Sequence, residues 1–281
     1  MRLGLALLAA AAAVTSAGAA SAANAPGASV VELRDAVARV TVIPEDRSDV
    51  KVEFARTNPK LPVQVRNEGG RTVVDGDLEH RIRSCRNGEH PRVFVRGVGD
   101  VDAEEMPQII IHAPRSVTVT SNGAVFGSVG RAANLDLDDS GCSSWTLADV
   151  AGEVRLHESG AGSIRMGSAD RLDISLSGAA NIHVVRIRQS LQARLSGAGH
   201  VNVGDIAGTV DAHVSGAGGV RMDSGHLSLL RASISGFGGI EFGGTADNLD
   251  AGVSGVGSIR VKQVTGNVSK HVSGIGHVNI G

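Results

Sequence analysis

The sequence predicts an all-β fold, a parallel β-solenoid (β-helix) of roughly 19-residue coils behind an irregular β-rich N-terminal cap. Three observations predict it. A Ser-Gly-x-Gly-x-aliphatic unit recurs in seven copies from Ser159 on, with two weaker copies at Ser121 and Ser140 before them, and the nine successive starts are 19, 19, 18, 19, 19, 20, 19 and 19 residues apart. Each unit alternates aliphatic and polar residues, the period-two mark of a strand with one buried face. Aromatics are 2% of the chain (five Phe, one Trp and no Tyr), while Gly supplies 38 of 281 residues. A core without aromatics must be built from Val, Ile, Leu and Ala in thin layers, which suits a repetitive fold better than one central core. Net charge is −2 with 20% charged and 42% apolar residues, a foldable composition and not that of a disordered or nucleic-acid-binding chain.

Residues 1–22 read as a secretory signal peptide. Arg2 is the only charge, an apolar run follows from Leu3 to Val14, and Ala20-Ser21-Ala22 fits an A-x-A cleavage site. A short core helix would need a polar face that this segment lacks. Export follows, to the periplasm or to the cell surface and beyond. No later stretch has the 18 uninterrupted apolar residues of a membrane-spanning helix, so no membrane span is expected.

Residues 30–115 lack the period but are strand-rich. Alternation runs through Val37–Val42, Val50–Phe54, Pro62–Arg66, Thr72–Val74, Arg92–Val95 and Ile109–Ile111. The segment reads as further coils with longer turns that cap the solenoid, or else as a small separate β domain. Cys85 and Cys142 are the two cysteines of an exported chain and are candidates for a disulfide; two separate thiols are the alternative.

Residues 116–281 hold the nine repeats, starting at Ser121, Ser140, Ser159, Ser177, Ser196, Ser215, Ser235, Ser254 and Ser273. Before each Ser lies an alternating strand, as in Leu172–Leu176 and Leu191–Leu195. After the Gly pair comes a second, as in Ile164–Met166 and Val201–Val203. A third short contact appears at Val150, Ile206 and Val264. One coil cannot bury its own apolar face, but coils stacked about 4.8 Å apart form parallel ladders and continuous interior columns. Nine coils at that spacing make a rod of about 43 Å. The corner Gly after each Ser is expected to serve a sharp turn, often at positive φ, and Asn122 stands in for it in the first copy as the next residue to tolerate that conformation.

These units, ending in Gly276-His-Val-Asn-Ile280, together with the lead-in Pro107–Pro114, resemble the family called putative auto-transporter adhesin, head GIN domain. The resemblance covers roughly residues 33–281. It implies a β-solenoid in an exported bacterial protein and carries no catalytic motif, so it implies no catalytic residue.

Stacking turns sequence columns into surface stripes. One outward column reads Arg165, His183, Asn202, Arg221, Glu241, Arg260 and Asn279, with both signs of charge. Mixed charge is the ordinary state of a solvated face, and a nucleic-acid track would be uniformly basic with aromatics for stacking. His157, His213 and His271 share a column but stand three coils apart, about 14 Å, beyond the reach of one zinc ion. No cofactor or metal is expected, and no nucleophile–base arrangement assembles from adjacent coils.

The strongest irregularity is the residue before each Ser. From the fourth copy on it is Leu176, Leu195, Val214, Ile234, Val253 and Val272; in the first three it is Thr120, Asp139 and Glu158. Asp139 and Glu158 should therefore stack about 5 Å apart where aliphatic residues otherwise sit, with Asp138 and His157 flanking them outside. Such a pair raises one pKa or recruits a cation, making these four residues the candidate ligand contacts. An exposed corner, or pairing with arginines of the N-terminal segment, is the alternative. Arg81, Arg83, Arg86, Arg92 and Arg96 form a basic run that could meet an anionic envelope polymer or pair with Asp100, Asp102, Glu104 and Glu105. Lys270 occupies a column otherwise held by alanines, and bulk between the Gly pair grows from Ala217 to Phe237, Val256 and Ile275, so homo-oligomerisation through the last coils is also expected.

The function expected is that of an exported, non-catalytic, adhesin-like β-solenoid that binds or organises cell-envelope or surface material. One alternative is a polysaccharide-active β-helix enzyme, for which Asp139 and Glu158 are the only paired carboxylates; the absence of Tyr and a single, core-placed Trp leave few sugar platforms. The other is a self-assembling structural component of the envelope.

Overall fold

A computed structural model describes residues 29–88 and 90–281, so the signal peptide expected at 1–22 lies outside the described residues. The chain is a parallel β-solenoid. Its first strand, β1 (Ser29–Glu45), is followed by β2 (Lys51–Arg56), β3 (Gln64–Glu68) and β4 (Arg71–Asp75). Three short strands come next, β5 (Ile82–Arg86), β6 (Arg92–Val95) and β7 (Gly99–Asp102), and then β8 (Gln108–Pro114). The regular coils begin with β9 (Ser116–Val129), β10 (Asn134–Asp139), β11 (Cys142–Leu147) and β12 (Glu153–Glu158). They continue as long bent strands, β13 (Ala161–Leu176), β14 (Ala179–Leu195), β15 (His200–Val214), β16 (Gly219–Ile234) and β17 (Phe237–Val253). The last are β18 (Val256–Val264), β19 (Val268–Val272) and β20 (His277–Ile280).

Every coil contributes the same inward residues. In β14 these are Ile182 and Val184 on one face, Ile187 on the next, and Leu191, Ala193 and Leu195 on the third. Parallel pairing puts Ile164 beside Ile182, Val201, Val220, Ile240 and Ile259, and Leu172 beside Leu191, Val210, Leu230 and Leu249. Each column is a ladder of aliphatic side chains, and together they form one continuous core. Alternation thus buries half of each strand, at about 25 cal/mol per Å² of apolar surface removed from water. Trp145 is the one large departure. Its ring lies over Gly127, where a Cβ would overlap the indole, so the glycine of one coil makes room for the aromatic of the next.

The corner glycines are needed for a different reason from the one expected. Gly160, Gly178, Gly197, Gly216, Gly236, Gly255 and Gly274 do not have positive φ; of the corner column only Gly123 does, at 94°. Each instead lies against the carbonyl of the glycine one coil before it, where a Cβ has no space. Nor does Asn122 take the left-handed conformation. Asp35 does, at φ 45°, and its N–H donates to the Asn122 side-chain oxygen, where β1 and β9 slip register between Leu33 and Ala36.

The N-terminal segment is threaded through the stack. β1 pairs in parallel with β9 on one side, and with β4 and β8 on the other. A strand made first therefore lies between coils made later. β2 runs antiparallel on β8 and β3 antiparallel on β4, covering edges that would otherwise be open. The antiparallel sheet β5–β6–β7 stands apart. Its Val93, Val95 and Val101, with Leu61, Leu78 and Met106, pack on Val37 and Ala124 to form a second core outside the solenoid.

Cys85 of β5 and Cys142 of β11 form a disulfide, with Cα atoms 6.3 Å apart, that fastens this small sheet to the coils. Asn87 reinforces the junction, its Nδ2 donating to the Ser143 carbonyl at 3.1 Å. Reduction is expected to speed amide hydrogen exchange in β5–β7 by roughly tenfold or more, while the coils from β13 onward keep their protection, because only the small sheet loses a tether. Unchanged exchange in β5–β7 would show that the second core holds it unaided.

Candidate functional site

The candidate site is a polar interruption of one interior column. The column runs Val74, Leu33, Ser121, Asp139, Glu158, Leu176, Leu195 and Val214 in register. Asp139 therefore stacks on Ser121, one residue later than the Thr120 expected from the repeat; Thr120 pairs with Asp138 outside. The shift follows from Asn122, which adds a residue before the Gly123 corner. Asp139 and Glu158 are paired directly, as expected, but neither the exposed corner nor an arginine partner is found. They are 0% and 1% exposed, sealed inside the solenoid.

A carboxylate costs several kcal/mol to bury unless its oxygens are hydrogen-bonded. Asp139 meets that demand. The Ser121 hydroxyl donates to Oδ1 and the Ser143 hydroxyl to Oδ2. The Trp145 indole N–H lies close enough to favour the carboxylate, although it completes no well-aligned hydrogen bond. Glu158 is served differently. Its Oε1 accepts from the Gly160 N–H at 2.9 Å, and its Oε2 has nothing to accept from. An unpartnered oxygen beside Asp139 is satisfied if it carries a proton and donates it.

The electrostatics agree. Burial pushes the Glu158 carboxyl up to about 8, and the neighbouring Asp139 charge adds to the rise. Burial also raises Asp139, against the lowering effect of its serine donors. The pair thus shares one proton at neutral pH, with the donors around Asp139 and the unpartnered Glu158 oxygen favouring the proton on the Glu158 side.

A stability dependence follows. Below the ordinary glutamate value of 4.5 both folded and unfolded chains hold the Glu158 proton, and its stabilisation is complete. Between there and about 8 the unfolded chain releases the proton while the folded one keeps it, so stability falls as pH rises. At about 1.4 kcal/mol per pKa unit the loss across that window is at most on the order of 5 kcal/mol. The melting temperature is expected to be higher at pH 5.5 than at pH 8.5. Glu158→Gln, whose amide can accept from Gly160 and donate to Asp139 without titrating, is expected to remove most of the difference. A wild-type profile flat across that range would rule out the shared proton.

Asp138 and His157 lie outside the wall, exposed and paired in register. Of the four candidate ligand contacts they are the two that solvent reaches. They border a shallow groove of about 460 Å³ shared with Ser175, Arg194 and His213. The arginine run lies on the small sheet and partly pairs there: Arg92 Nε meets Asp102 at 2.6 Å, and Arg81 donates to the Arg96 carbonyl. Among the described residues no three His, Cys, Asp or Glu gather as metal ligands, and no helix is long and apolar enough to cross a membrane.

Sequence reading missed Ser121, Ser143 and Trp145 as partners of the acid pair. The signal was present in the second: Ser143 stands where the next coils carry Gly162 and Ala180, so a hydroxyl enters a column of small residues beside the one carboxylate that needs it.

No known protein family matches the sequence, and no curated protein matches it either. Solved structures do match. A putative adhesin from Parabacteroides distasonis is 17% identical with a TM-score of 0.52, over 90% of this chain and 93% of that one. A putative adhesin from Bacteroides fragilis is 18% identical with a TM-score of 0.47, over 90% and 92%. A putative lipid binding protein from Parabacteroides distasonis is 17% identical with a TM-score of 0.39, over 90% and 92%. At such identity the likeness to the first of these is one of fold: a β-solenoid.

Proposed function

We propose that this chain is an exported, non-catalytic β-solenoid of the adhesin-head type, in the head GIN domain family, that binds or organises cell-envelope or surface material in the periplasm or on the cell surface. The observation that carries the reading is the division of its polar groups. The paired carboxylates that a glycosidase would need are sealed in the core and spend their hydrogen bonds on Ser121, Ser143 and Gly160. What faces solvent is a set of straight columns, such as Asn202, Arg221, Glu241 and Arg260, repeated at strand spacing along the rod. Columns of that kind suit an extended partner laid along the molecule. The adhesin name of the Parabacteroides protein with the same fold supports the reading. Self-association through the last coils, where Val256 and Ile275 are exposed, belongs to the same proposal and is tested by light scattering over a range of concentrations.

The test is protease accessibility of the native protein on intact cells, with a periplasmic marker as control. Digestion on intact cells is the result expected of a surface adhesin. Protection until the outer membrane is broken would remove adhesion and leave a periplasmic organiser, whose partners crosslinking would find. Recovery of the protein solely in the cytoplasm would overturn the proposal.

A further inference from the structure

One stretch of the outer surface is shaped differently from the rest. Along the column Asn181, His200, Gly219, Gly239, Ser258 and His277, two neighbouring coils carry no side chain. The result is a notch of about 390 Å³ floored by Gly219 and Gly239. Packing does not demand the second glycine. A Cβ on Gly239 would meet nothing closer than 3.8 Å, and its φ is not left-handed. Glycine in a strand interior is unfavourable by roughly 0.5–1 kcal/mol against alanine, so a bare position with free space is a cost that the fold itself does not require.

The two walls differ in chemistry. Residues 237, 239 and 241 share one face of β17 by its alternation, which places Phe237 and Glu241 roughly 13 Å apart across the floor. Phe237 is 71% exposed, the most exposed aromatic of the described residues, at a corner where the coil before it has Ala217. The opposite wall is a ladder of planar polar groups held by one another. Arg221 donates to Asp223 at 2.8 Å and to Glu241 at 3.1 Å, and Arg260 lies 4.0 Å from the other Glu241 oxygen. Exposed ion pairs of this kind add little stability, but they fix the orientation of donors and acceptors. Two arginines and two carboxylates leave the wall without net charge.

We infer that this notch is a carbohydrate subsite that takes a hexopyranose unit of a neutral glycan chain, the ring's C–H face on Phe237 and its hydroxyls on the Arg221–Glu241–Arg260 ladder. A sugar ring presents that combination, one apolar face and a rim of hydroxyls, whereas a phosphate polymer would call for net positive charge. The notch lies on a sheet face and not at an edge, so a peptide cannot add to it as a strand. A side chain at 239 would fill the space between Phe237 and the ladder that the ring must enter. The inference rests on the proposed envelope-binding function and names its ligand class.

The test titrates the purified protein with chitohexaose, cellohexaose and mannohexaose, by calorimetry and saturation-transfer NMR. Binding of at least one is expected, with Phe237→Ala weakening it roughly tenfold or more. Gly239→Val, which fills the floor without touching the core, is expected to do the same, and circular dichroism should show both variants folded. Binding of none at millimolar concentration overturns the subsite, as does binding that both variants retain. Preference for hexagalacturonate over all three neutral sugars overturns its neutral character. Phe237-dependent binding seen only with phosphatidylethanolamine–phosphatidylglycerol vesicles would make the notch a lipid site instead. Co-sedimentation with isolated cell envelopes separates the two readings: retention of wild type and variants alike keeps envelope binding and removes the subsite, whereas failure of wild type to sediment removes envelope binding while the titrations still decide the notch.

Discussion

Gly197→Ala is expected to destabilise the solenoid by more than about 3 kcal/mol, although it adds a single methyl group. The reason is the stacked corner. A Cβ on Gly197 would overlap the Gly178 carbonyl oxygen and lie 2.5 Å from that of Ser177, both backbone atoms that no rotamer change can move. Relief requires parting β14 from β15, and the parallel ladder from Asn181 to Leu195 would loosen with them. Coils contact only their neighbours, so damage in mid-stack weakens the coupling between the two halves and does not stay local. Gly252→Ala is the matched control. A Cβ there meets only the Ser233 hydroxyl oxygen at 4.0 Å, and the change is expected to be neutral or to stabilise by roughly 0.4–1 kcal/mol through the unfolded chain. Urea denaturation of the two variants checks the contrast. Equal stability would mean that the corner glycines reflect something other than close approach.

Asp139→Ala is the second large effect, expected to cost about 3–5 kcal/mol. The substitution leaves the Ser121 and Ser143 hydroxyls without their acceptor and the Glu158 acid without its anion, all of them buried, and it opens a space beside Trp145. The cost belongs to the broken network and not to a net benefit of burying charge. A variant with Ser121→Ala, Asp139→Leu, Ser143→Ala and Glu158→Leu turns the column aliphatic from Leu33 through Leu176, and it is expected to be at least as stable as wild type with no stability change between pH 5.5 and 8.5. Thermal unfolding at both pH values reads the two outcomes together. If the fully apolar variant is the less stable, the polar cluster contributes to folding in its own right. If it is more stable and still binds envelope material, the cluster has no part in function.

The acid pair shows how far pattern reading reaches. Alternation told which residues of each repeat point inward, and from that Asp139 and Glu158 were legible as neighbours in an aliphatic column. Their partners were not. Ser143 lies only four residues from Asp139 but on the next face of the coil, so the bend between β10 and β11 brings them together. Ser121 reaches Asp139 only through a one-residue register offset, which Asn122 introduces. Whether such a pair is a surface site or a sealed one depends on that geometry, and here it is sealed.

The aromatic side chains show the same limit. The sequence holds few aromatics, and by composition alone a glycan surface looks poorly equipped. Burial decides the matter residue by residue: Trp145 is enclosed, while Phe237 stands out from a corner beside two bare glycines.

By itself the sequence determined the solenoid, the coil length, the inward columns and the interruption at Asp139 and Glu158. All of these are written in a short period, and a period is local information that repeats nine times over. Tertiary structure decided the rest. β1 pairs with strands that come some 40 to 90 residues later and lies between them, and no local pattern encodes that order. The Cys85–Cys142 bridge, the second core under β5–β7 and the seal over the acid pair depend on the same long-range pairing. A periodic sequence specifies which face of a strand is buried; which strand comes to cover it is settled only when the whole stack competes for the same apolar surface.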